Sequence, residues 1–419
     1  MPPDAVVFVQ DTDEVAIVVK ACAAHRIPLI AFGAGSSLEG QVLAPRGGVC
    51  IDLSRMQSIV AIYEQDLSAT VEAGVTRLQL NAALRDCGLF FPIDPGADAT
   101  IGGMVATRAS GTNALRYGTM RENVLALTVV NAQGTVLRTA RRAKKSAAGY
   151  DLTRLFIGSE GTLGIVTEIT LRLAPQPEAI AVAVCHFPSV DAAVRTTMAI
   201  IQSGVAVARC ELLDAASVRA VNAYSKLALR ETPLLLFEFH GTEAGLAEHS
   251  RTVQEIAREH CGVDFDWART PEERNRLWTA RHKAYFAGLQ LRPGCRSITT
   301  DVCVPISRLA ECIEQTRAEL ERASFPSTLL GHVGDGNFHV QMLIDPQSQP
   351  ERDEAEALNE HLVQRALSMD GTCSGEHGVG MHKIDFLVAE HGVAAIEMMG
   401  RIKQALDPLG ILNPGKMLR

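Results

Sequence analysis

The apolar positions of the first thirty residues change period twice. A short β-branched run at 6–9 reads as a strand. Asp11 and Glu14 then make a capping-box pair ahead of an apolar pattern of helical period over 15–24, and 27–32 reads as a second strand. That strand runs directly into Gly33-Ala34-Gly35-Ser36-Ser37-Leu38-Glu39-Gly40, where glycines and hydroxyl residues end it. The pattern predicts further strands at 49–52 and 69–73, a helix capped by Thr76 that reaches Cys87, and a long glycine-rich irregular tract over 92–118. Alternation at 124–131 and 135–138 about Gln133-Gly134 predicts a hairpin. A strand at 165–173 stops at Ala174-Pro175-Gln176-Pro177, because proline cannot continue a ladder, and a domain boundary is placed there: 1–175 and 176–419.

Beyond the prolines, strand-like runs at 179–187, 205–213 and 233–240 alternate with helical stretches at 189–203, 214–230 and 243–260. This predicts an α+β layer with helices covering one face of an antiparallel sheet. Strands at 301–305 and 327–333, helices at 351–369 and 393–407, and a terminating loop at Leu412-Asn413-Pro414-Gly415-Lys416 complete the pattern.

Composition narrows the class. The 419 residues, 47% apolar and 21% charged, are those of a globular chain of two or three domains. The net charge of −8 does not favour nucleic acid, which leaves a small-molecule site. No apolar run has the length of a membrane span and the opening Met1-Pro2-Pro3-Asp4 lacks signal-peptide character, so the expected location is cytoplasmic, at most peripheral to a membrane. Ten scattered cysteines without a C-x-x-C pattern argue against a disulfide framework, a zinc ribbon or an iron–sulfur cluster.

Three small-residue loops are candidates for anion binding. Gly33 to Ser37 can turn backbone N–H groups toward a phosphate, although Leu38 stands where a dinucleotide fingerprint has its third glycine, so a plain turn is the alternative. Pro95-Gly96-Ala97-Asp98-Ala99-Thr100-Ile101-Gly102-Gly103 with Ser110-Gly111-Thr112-Asn113 suits a long ligand such as a dinucleotide, or else a surface loop. Gly158-Ser159-Glu160-Gly161-Thr162-Leu163-Gly164 is the third. In the second half, Gly331-His332-Val333-Gly334-Asp335-Gly336-Asn337-Phe338-His339-Val340-Gln341 places a turn between two strands, with His339 and Gln341 on one face and His332 within reach of His339. With Glu376 of Gly375-Glu376-His377-Gly378 the two histidines form a His₂-carboxylate set for zinc, manganese or another divalent ion, and His377 is left as a base. Asp335 is assigned to its turn. Arg274, Arg276 and Arg281 are either a solvated helix face or a grip on an acid substrate; the basic run from Arg138 to Lys145 is a solvated loop.

These motifs resemble a known family. The loops at Gly33, at Asp94-Pro95-Gly96-Ala97-Asp98-Ala99, at Ala109-Ser110-Gly111-Thr112-Asn113-Ala114 and at Gly158 are similar to the FAD-binding half of the vanillyl-alcohol oxidase and p-cresol methylhydroxylase superfamily. Leu277-Trp278-Thr279-Ala280-Arg281-His282, Thr300-Asp301-Val302-Cys303-Val304-Pro305, the His332 and His339 segment, Gly375-Glu376-His377-Gly378 and Asn413-Pro414-Gly415-Lys416 resemble the FAD-linked D-2-hydroxyacid dehydrogenases, most of all their cytochrome-linked branch. The resemblance covers nearly the whole chain.

It implies a two-domain FAD-binding fold with an antiparallel-sheet cap domain covered by helices, the final segment packing back near the flavin. Gly33, Ala34, Gly35, Ser36 and Ser37 would hold the pyrophosphate. Pro95, Gly96, Asp98, Thr100, Gly102, Gly103, Ser110, Asn113, Glu160, Gly161, Ile165 and Asn413 would line FAD, bound without a covalent link because no histidine follows the first loop. His332, His339 and Glu376 would ligate the metal, Arg281 would clamp the substrate carboxylate, and His377 would be the base. Thr299 and Gln341 stand where hydroxyglutarate-specific relatives have lysine and asparagine, which favours a short monocarboxylate such as D-lactate. A cytochrome c, a quinone or an electron-transfer flavoprotein would take the electrons, and a homodimer is compatible. The resemblance also implies a further segment ahead of Pro2, on which cofactor affinity would depend. A glycolate oxidase subunit and a D-2-hydroxyglutarate dehydrogenase are the near alternatives; a metal-dependent hydrolase or an electron-transfer flavoprotein subunit are remote ones.

Overall fold

The computed structural model describes residues 1–268 and 270–419. They form two compact units. One comprises Met1–Asn113, Tyr117–Gln176 and Glu376–Arg419, the other Ala114–Arg116 and Pro177–Gly375.

The first unit holds two main sheets. Strands Ala5–Phe8, Val49–Asp52 and Leu29–Phe32 pair in parallel with Val49–Asp52 in the centre. Parallel pairing needs crossovers: the helix Thr12–His25 links the two outer strands, and the irregular segment 33–48 carries the chain into the central one. Asp11 caps it by accepting from Glu14 N at 2.8 Å, while Glu14 Oε2 accepts from Gln10 N rather than from the cap residue, so the expected box is displaced by one position. Val15, Ala16, Val19 and Cys22 of this helix pack with Leu29 and Ile51 of the sheet. The C-terminal segment returns here: Leu412 bridges Leu29 in parallel. The second sheet orders Ile59–Tyr63, Ser68–Glu72, Ile165–Arg172, Val124–Val130 and Val136–Arg138, all antiparallel. Its last pair is the expected hairpin. Asn131 Oδ1 accepts from Gln133 N and Thr135 N, and Gly134 supplies the positive φ of 70° that the turn requires.

The tract expected to be irregular is in part helical. Thr100 caps a helix at Ile101–Thr107, and Ala114–Tyr117 is a further short one. Gly102 and Gly103 have low helix propensity. They are tolerated because Gly102 lies on the end of a strand, where an added Cβ would come within 2.7 Å of Ala73 Cβ.

The second unit is built on an eight-stranded antiparallel sheet. Its path runs Val263–Ala268, Ala179–His186, Leu234–Gly241, Val207–Leu213, Ser327–His332, Asn337–Ile344 and Arg296–Thr299, with Val302–Cys303 also on Asn337–Ile344. Helices lie on both faces, not on one as the pattern predicts. Thr197 Oγ1 of helix Val190–Gln202 meets Cys210 Sγ at 3.4 Å on one side. On the other, Leu213, Leu234 and Leu236 pack with Val218 and Val221 of helix Ala215–Ser225 and with Trp278 of helix Pro271–His282. The physical reason is visible in Leu234–Gly241: it is buried from Leu234 to His240, as a strand covered on both sides must be. Helix Ile306–Leu320 is not among the expected elements, although its buried Leu309, Cys312, Ile313 and Thr316 have helical spacing. No helix of the described residues is long and apolar enough to cross a membrane.

Candidate active site

In the first unit the expected cofactor loops come together through backbone and a few buried polar side chains. Gly33 leaves the strand against Thr100, whose Oγ1 an added Cβ would strike, and Gly35 has a φ of 66°. Ala34, Gly35 and Ser36 are exposed, while Ser37 Oγ is buried with no hydrogen-bond partner among the described residues. Thr100 Oγ1 accepts from Gly103 N, and exposed Asp98 accepts from Leu78 N at 3.3 Å. Asp94 organises the next loop: its carboxylate takes Thr112 Oγ1 at 2.6 Å and Asn113 N at 2.9 Å. Asn113 Nδ2 reaches Pro92 O, and Ser110 is half-buried. Pro95 is half-buried and Gly96 exposed. These small, partly exposed loops with an orphaned buried hydroxyl fit an extended phosphate-bearing cofactor. Ile165 lies opposite Val130 in the sheet with its side chain in the core, so its backbone is the part left to line a cofactor.

Two further carboxylates hold the loop that carries His377. Glu160 accepts from Val379 N at 2.7 Å and Gly380 N at 2.8 Å, and burial raises its carboxyl above the usual range despite these bonds. Its own carbonyl and that of Gln41 take Asn413 Nδ2, while Gln41 Nε2 donates to His377 O. Gly161, beside it, has a φ of 71°. Glu39 lies 3.5 Å from His377 Nδ1 and 3.3 Å from Lys383 Nζ. Burial pushes its carboxyl up, but the contact with His377 and the charge of Lys383 outweigh it, and the net shift is downward. Glu39 is therefore an anion behind the imidazole. Its place directly after the small-residue loop is the signal that marks it. Glu376 and His377 open the segment Glu376–Arg419 of this unit.

In the second unit the histidines sit on one face of the sheet. His332 ends one strand, Asn337 starts the next, and the turn between them closes with Asp335 N on His332 O at 3.0 Å. The imidazoles of His332 and His339 meet edge-on with centroids 5.4 Å apart. Each is tethered through Nδ1, His332 to Glu211 Oε1 at 2.8 Å and His339 to Thr300 O at 3.1 Å, with Asp301 Oδ1 3.8 Å away. Asp301 is itself held by Asn337 Nδ2 and Ser374 Oγ. A carboxylate or carbonyl on Nδ1 is the outer-shell arrangement of metal-ligating histidines, so this donor pair fits a divalent ion held through Nε2.

Arg281, on helix Pro271–His282, is buried and donates from Nη2 to Glu211 Oε2 at 2.5 Å; its Nε is buried with no hydrogen-bond partner among the described residues. Arg274 is half-buried and bonds Ile180 O, whereas Arg276 is exposed and bonds Lys226 O at the surface. Burial raises the Glu211 carboxyl, yet His332 and Arg281 overcome it and hold it below the usual range. Glu211 escapes the motif reading. Its signal is a single acid inside the apolar run Cys210-Glu211-Leu212-Leu213. Thr299 and Gln341 are opposite neighbours in the ladder. The Gln341 amide donates to Tyr285 O and accepts from Thr328 Oγ1, and Thr299 Oγ1 contacts Ser297 Oγ.

Known proteins share this architecture. Residues 3–140 match a family described as FAD binding domain, and residues 176–417 match FAD linked oxidases, C-terminal domain. The chain is 52% identical to a probable mitochondrial D-lactate dehydrogenase of Danio rerio, covering 100% of this chain and 84% of the relative. It is 50% identical to a mitochondrial D-lactate dehydrogenase [cytochrome] of Arabidopsis thaliana, covering 99% and 73%. A solved p-cresol methylhydroxylase superposes with a TM-score of 0.77 at 17% identity, over 98% of this chain and 88% of that one, which shows a shared two-domain fold. The glycine loops of the first unit and the sheet of the second are thus the two halves of one architecture, and the chain belongs to the family of FAD-linked oxidases.

Proposed function

We propose that this chain is an FAD-dependent D-2-hydroxyacid dehydrogenase that oxidises D-lactate to pyruvate and passes the electrons to a cytochrome. The observation that carries the reading is the buried Arg281–Glu211–His332 relay beside His339, a carboxylate clamp and a ligand pair on one sheet face. It stands in a chain half identical to named D-lactate dehydrogenases. Residues 1–175 form the FAD-binding domain and 176–419 the part that carries the substrate domain, whose final segment, Glu376–Arg419, belongs to the first compact unit and lies near the flavin. Gly33 to Ser37, Pro95 to Gly103, Ser110, Asn113, Glu160, Gly161 and Asn413 hold FAD without a covalent link. When bound, FAD supplies the acceptor for the hydride that leaves C2. His332, His339 and Glu376 hold zinc or manganese, which supplies Lewis-acid polarisation of the hydroxyl.

The protein groups bind, orient and move the proton. Arg281 binds the substrate carboxylate, an interaction whose planar fork fixes orientation as well as charge. His377 turns Nδ1 to the Glu39 anion, which assigns Nε2 as the nitrogen that takes the hydroxyl proton. Thr299 and Gln341 bring no cation for a second carboxylate, and this favours lactate over hydroxyglutarate.

The test is the visible spectrum of the FAD-loaded protein before and after anaerobic addition of D-lactate, L-lactate, glycolate or D-2-hydroxyglutarate. D-lactate is expected to bleach the flavin band fastest. Faster bleaching by hydroxyglutarate would overturn the substrate assignment, and no bleaching by any hydroxy acid would leave an electron-transfer flavoprotein.

A further inference from the structure

We infer that Glu211 is the positioning residue that sets the tautomer of His332 and the guanidinium of Arg281 together, so that ion binding and carboxylate recognition depend on one side chain. The inference rests on the proposed roles of His332 and Arg281 and goes beyond them.

The geometry is specific. Glu211 is 1% exposed in the strand Val207–Leu213, and its two oxygens are divided between two partners on other elements. Oε2 accepts from Arg281 Nη2 at 2.5 Å, and Oε1 faces His332 Nδ1 at 2.8 Å. An ionised carboxylate only accepts hydrogen bonds. With Oε2 taken by the Arg281 guanidinium, Oε1 of Glu211 is left to accept from His332, which places the His332 proton on Nδ1 and presents Nε2 as the lone-pair nitrogen. The same anion fixes one edge of the Arg281 guanidinium. It also offsets the arginine charge beside a site that is to receive a cation. His339 Nδ1 meets a carbonyl, Thr300 O, where His332 meets a carboxylate, and Arg281 Nε has no hydrogen-bond partner among the described residues. Neighbouring acids do not duplicate the role, since Glu238 on the same face pairs with His240 Nε2 at 2.7 Å and with Arg209.

Substitution by glutamine separates tautomer control from simple packing. The amide is close to isosteric, but it offers one oxygen and one NH₂. If the oxygen stays on Arg281, the NH₂ donates to His332 Nδ1 and forces the proton onto Nε2, which removes the ligand lone pair. If the amide turns over, its NH₂ faces the guanidinium and the carboxylate clamp loses its anchor. Glu211→Asp keeps the charge on a shorter arm and should restore part of both functions.

The experiment uses the FAD-loaded full chain. Zinc and manganese content after equilibrium dialysis against graded chelator is measured by mass spectrometry for the wild type, Glu211→Gln, Glu211→Asp, His332→Ala and Arg281→Met, together with KM and kcat for D-lactate. Folding is followed by the fluorescence of Trp267 and Trp278 and by the flavin spectrum. The expected result for Glu211→Gln is metal affinity about 10- to 100-fold weaker, the size known for outer-shell partners, together with a raised KM. Glu211→Asp should lie between it and the wild type, and Arg281→Met should raise KM while keeping the metal. Wild-type metal affinity in both Glu211 variants, with metal lost in His332→Ala, would overturn the inference and leave the site assignment standing. Absence of stoichiometric metal from the wild type would overturn both. If Glu211→Gln does not fold, Glu211→Asp decides alone: unchanged metal affinity and KM would refute the positioning role.

Discussion

In the first unit the proposed recognition surface is made of backbone: glycines, small hydroxyl residues, and carboxylates such as Asp94 and Glu160 that accept from main-chain N–H groups. In the second it is made of charge on a sheet face, where Arg281, Glu211 and His332 bond one another side chain to side chain. A backbone cradle tolerates few changes of shape and is indifferent to most changes of charge. A buried ionic relay behaves the other way, because removing one member strands another charge out of water. The two regions should therefore fail differently. The two tryptophans, Trp267 and Trp278, both report on the second unit, and bound flavin reports on the first.

The largest effect is expected where the backbone-built unit carries a chemical group. His377→Asn should slow flavin reduction by D-lactate about 10²- to 10⁴-fold, the usual contribution of a general base, with flavin content unchanged. Anaerobic stopped-flow absorbance measures it, and a rate near the wild type would remove His377 from the proton transfer. Next is Arg281→Met, which leaves Glu211 buried with one oxygen stranded. Breaking a buried pair typically costs about 3–5 kcal/mol. Tryptophan fluorescence in urea should show that loss while the flavin spectrum persists; equal loss of both signals would erase the distinction between the units. Gly33→Ala is the converse. Its Cβ would run into Thr100 Oγ1, an overpacking cost of about 1–3 kcal/mol, so flavin affinity should fall while the tryptophan transition stays in place.

The smallest effect is a pH dependence in the first unit. Lys416 is buried, donates to Leu43 O and Asn413 Oδ1, and is pushed down to about 8 by burial, with Glu160 opposing. Its folded value lies below the unfolded one, so the unfolded chain binds the extra proton between roughly pH 8 and 10.4. The penalty is fully present below pH 8, and stability contributed by this group rises as pH increases through that window. Lys416→Met should abolish the rise. Unfolding midpoints by circular dichroism at pH 7.5 and 10, compared between the two proteins, measure it; an identical slope would assign the dependence to other groups.

Elements whose signal is local were legible from the chain. The hairpin of Val124–Val130 and Val136–Arg138 follows from alternation and an Asn131–Gly134 turn, and the helices Val190–Gln202 and Glu243–Glu259 follow from side-chain period and a hydroxyl cap. His332 and His339 were legible as neighbours because period two and a short turn fix both faces of a strand pair. Glu211 and Glu39 were not. Their importance lies in partners 121 and 70 residues away in one case and 338 to 344 in the other, a separation that no local pattern encodes. Helices on both faces of the large sheet were missed for a related reason: a continuous apolar strand shows that it is buried, not which elements bury it.

The sequence by itself determined where the chain turns, which strands alternate, which small-residue loops are candidates for close backbone approach to a ligand, and which histidines share a strand pair. These are consequences of backbone sterics and side-chain period, properties of a few consecutive residues. Only the tertiary structure decided which acid faces which base. Ionised Glu211 lies between Arg281 and His332, and Glu39 lies behind His377, because burial makes an unpaired charge costly and the fold brings together residues distant in sequence to meet that cost.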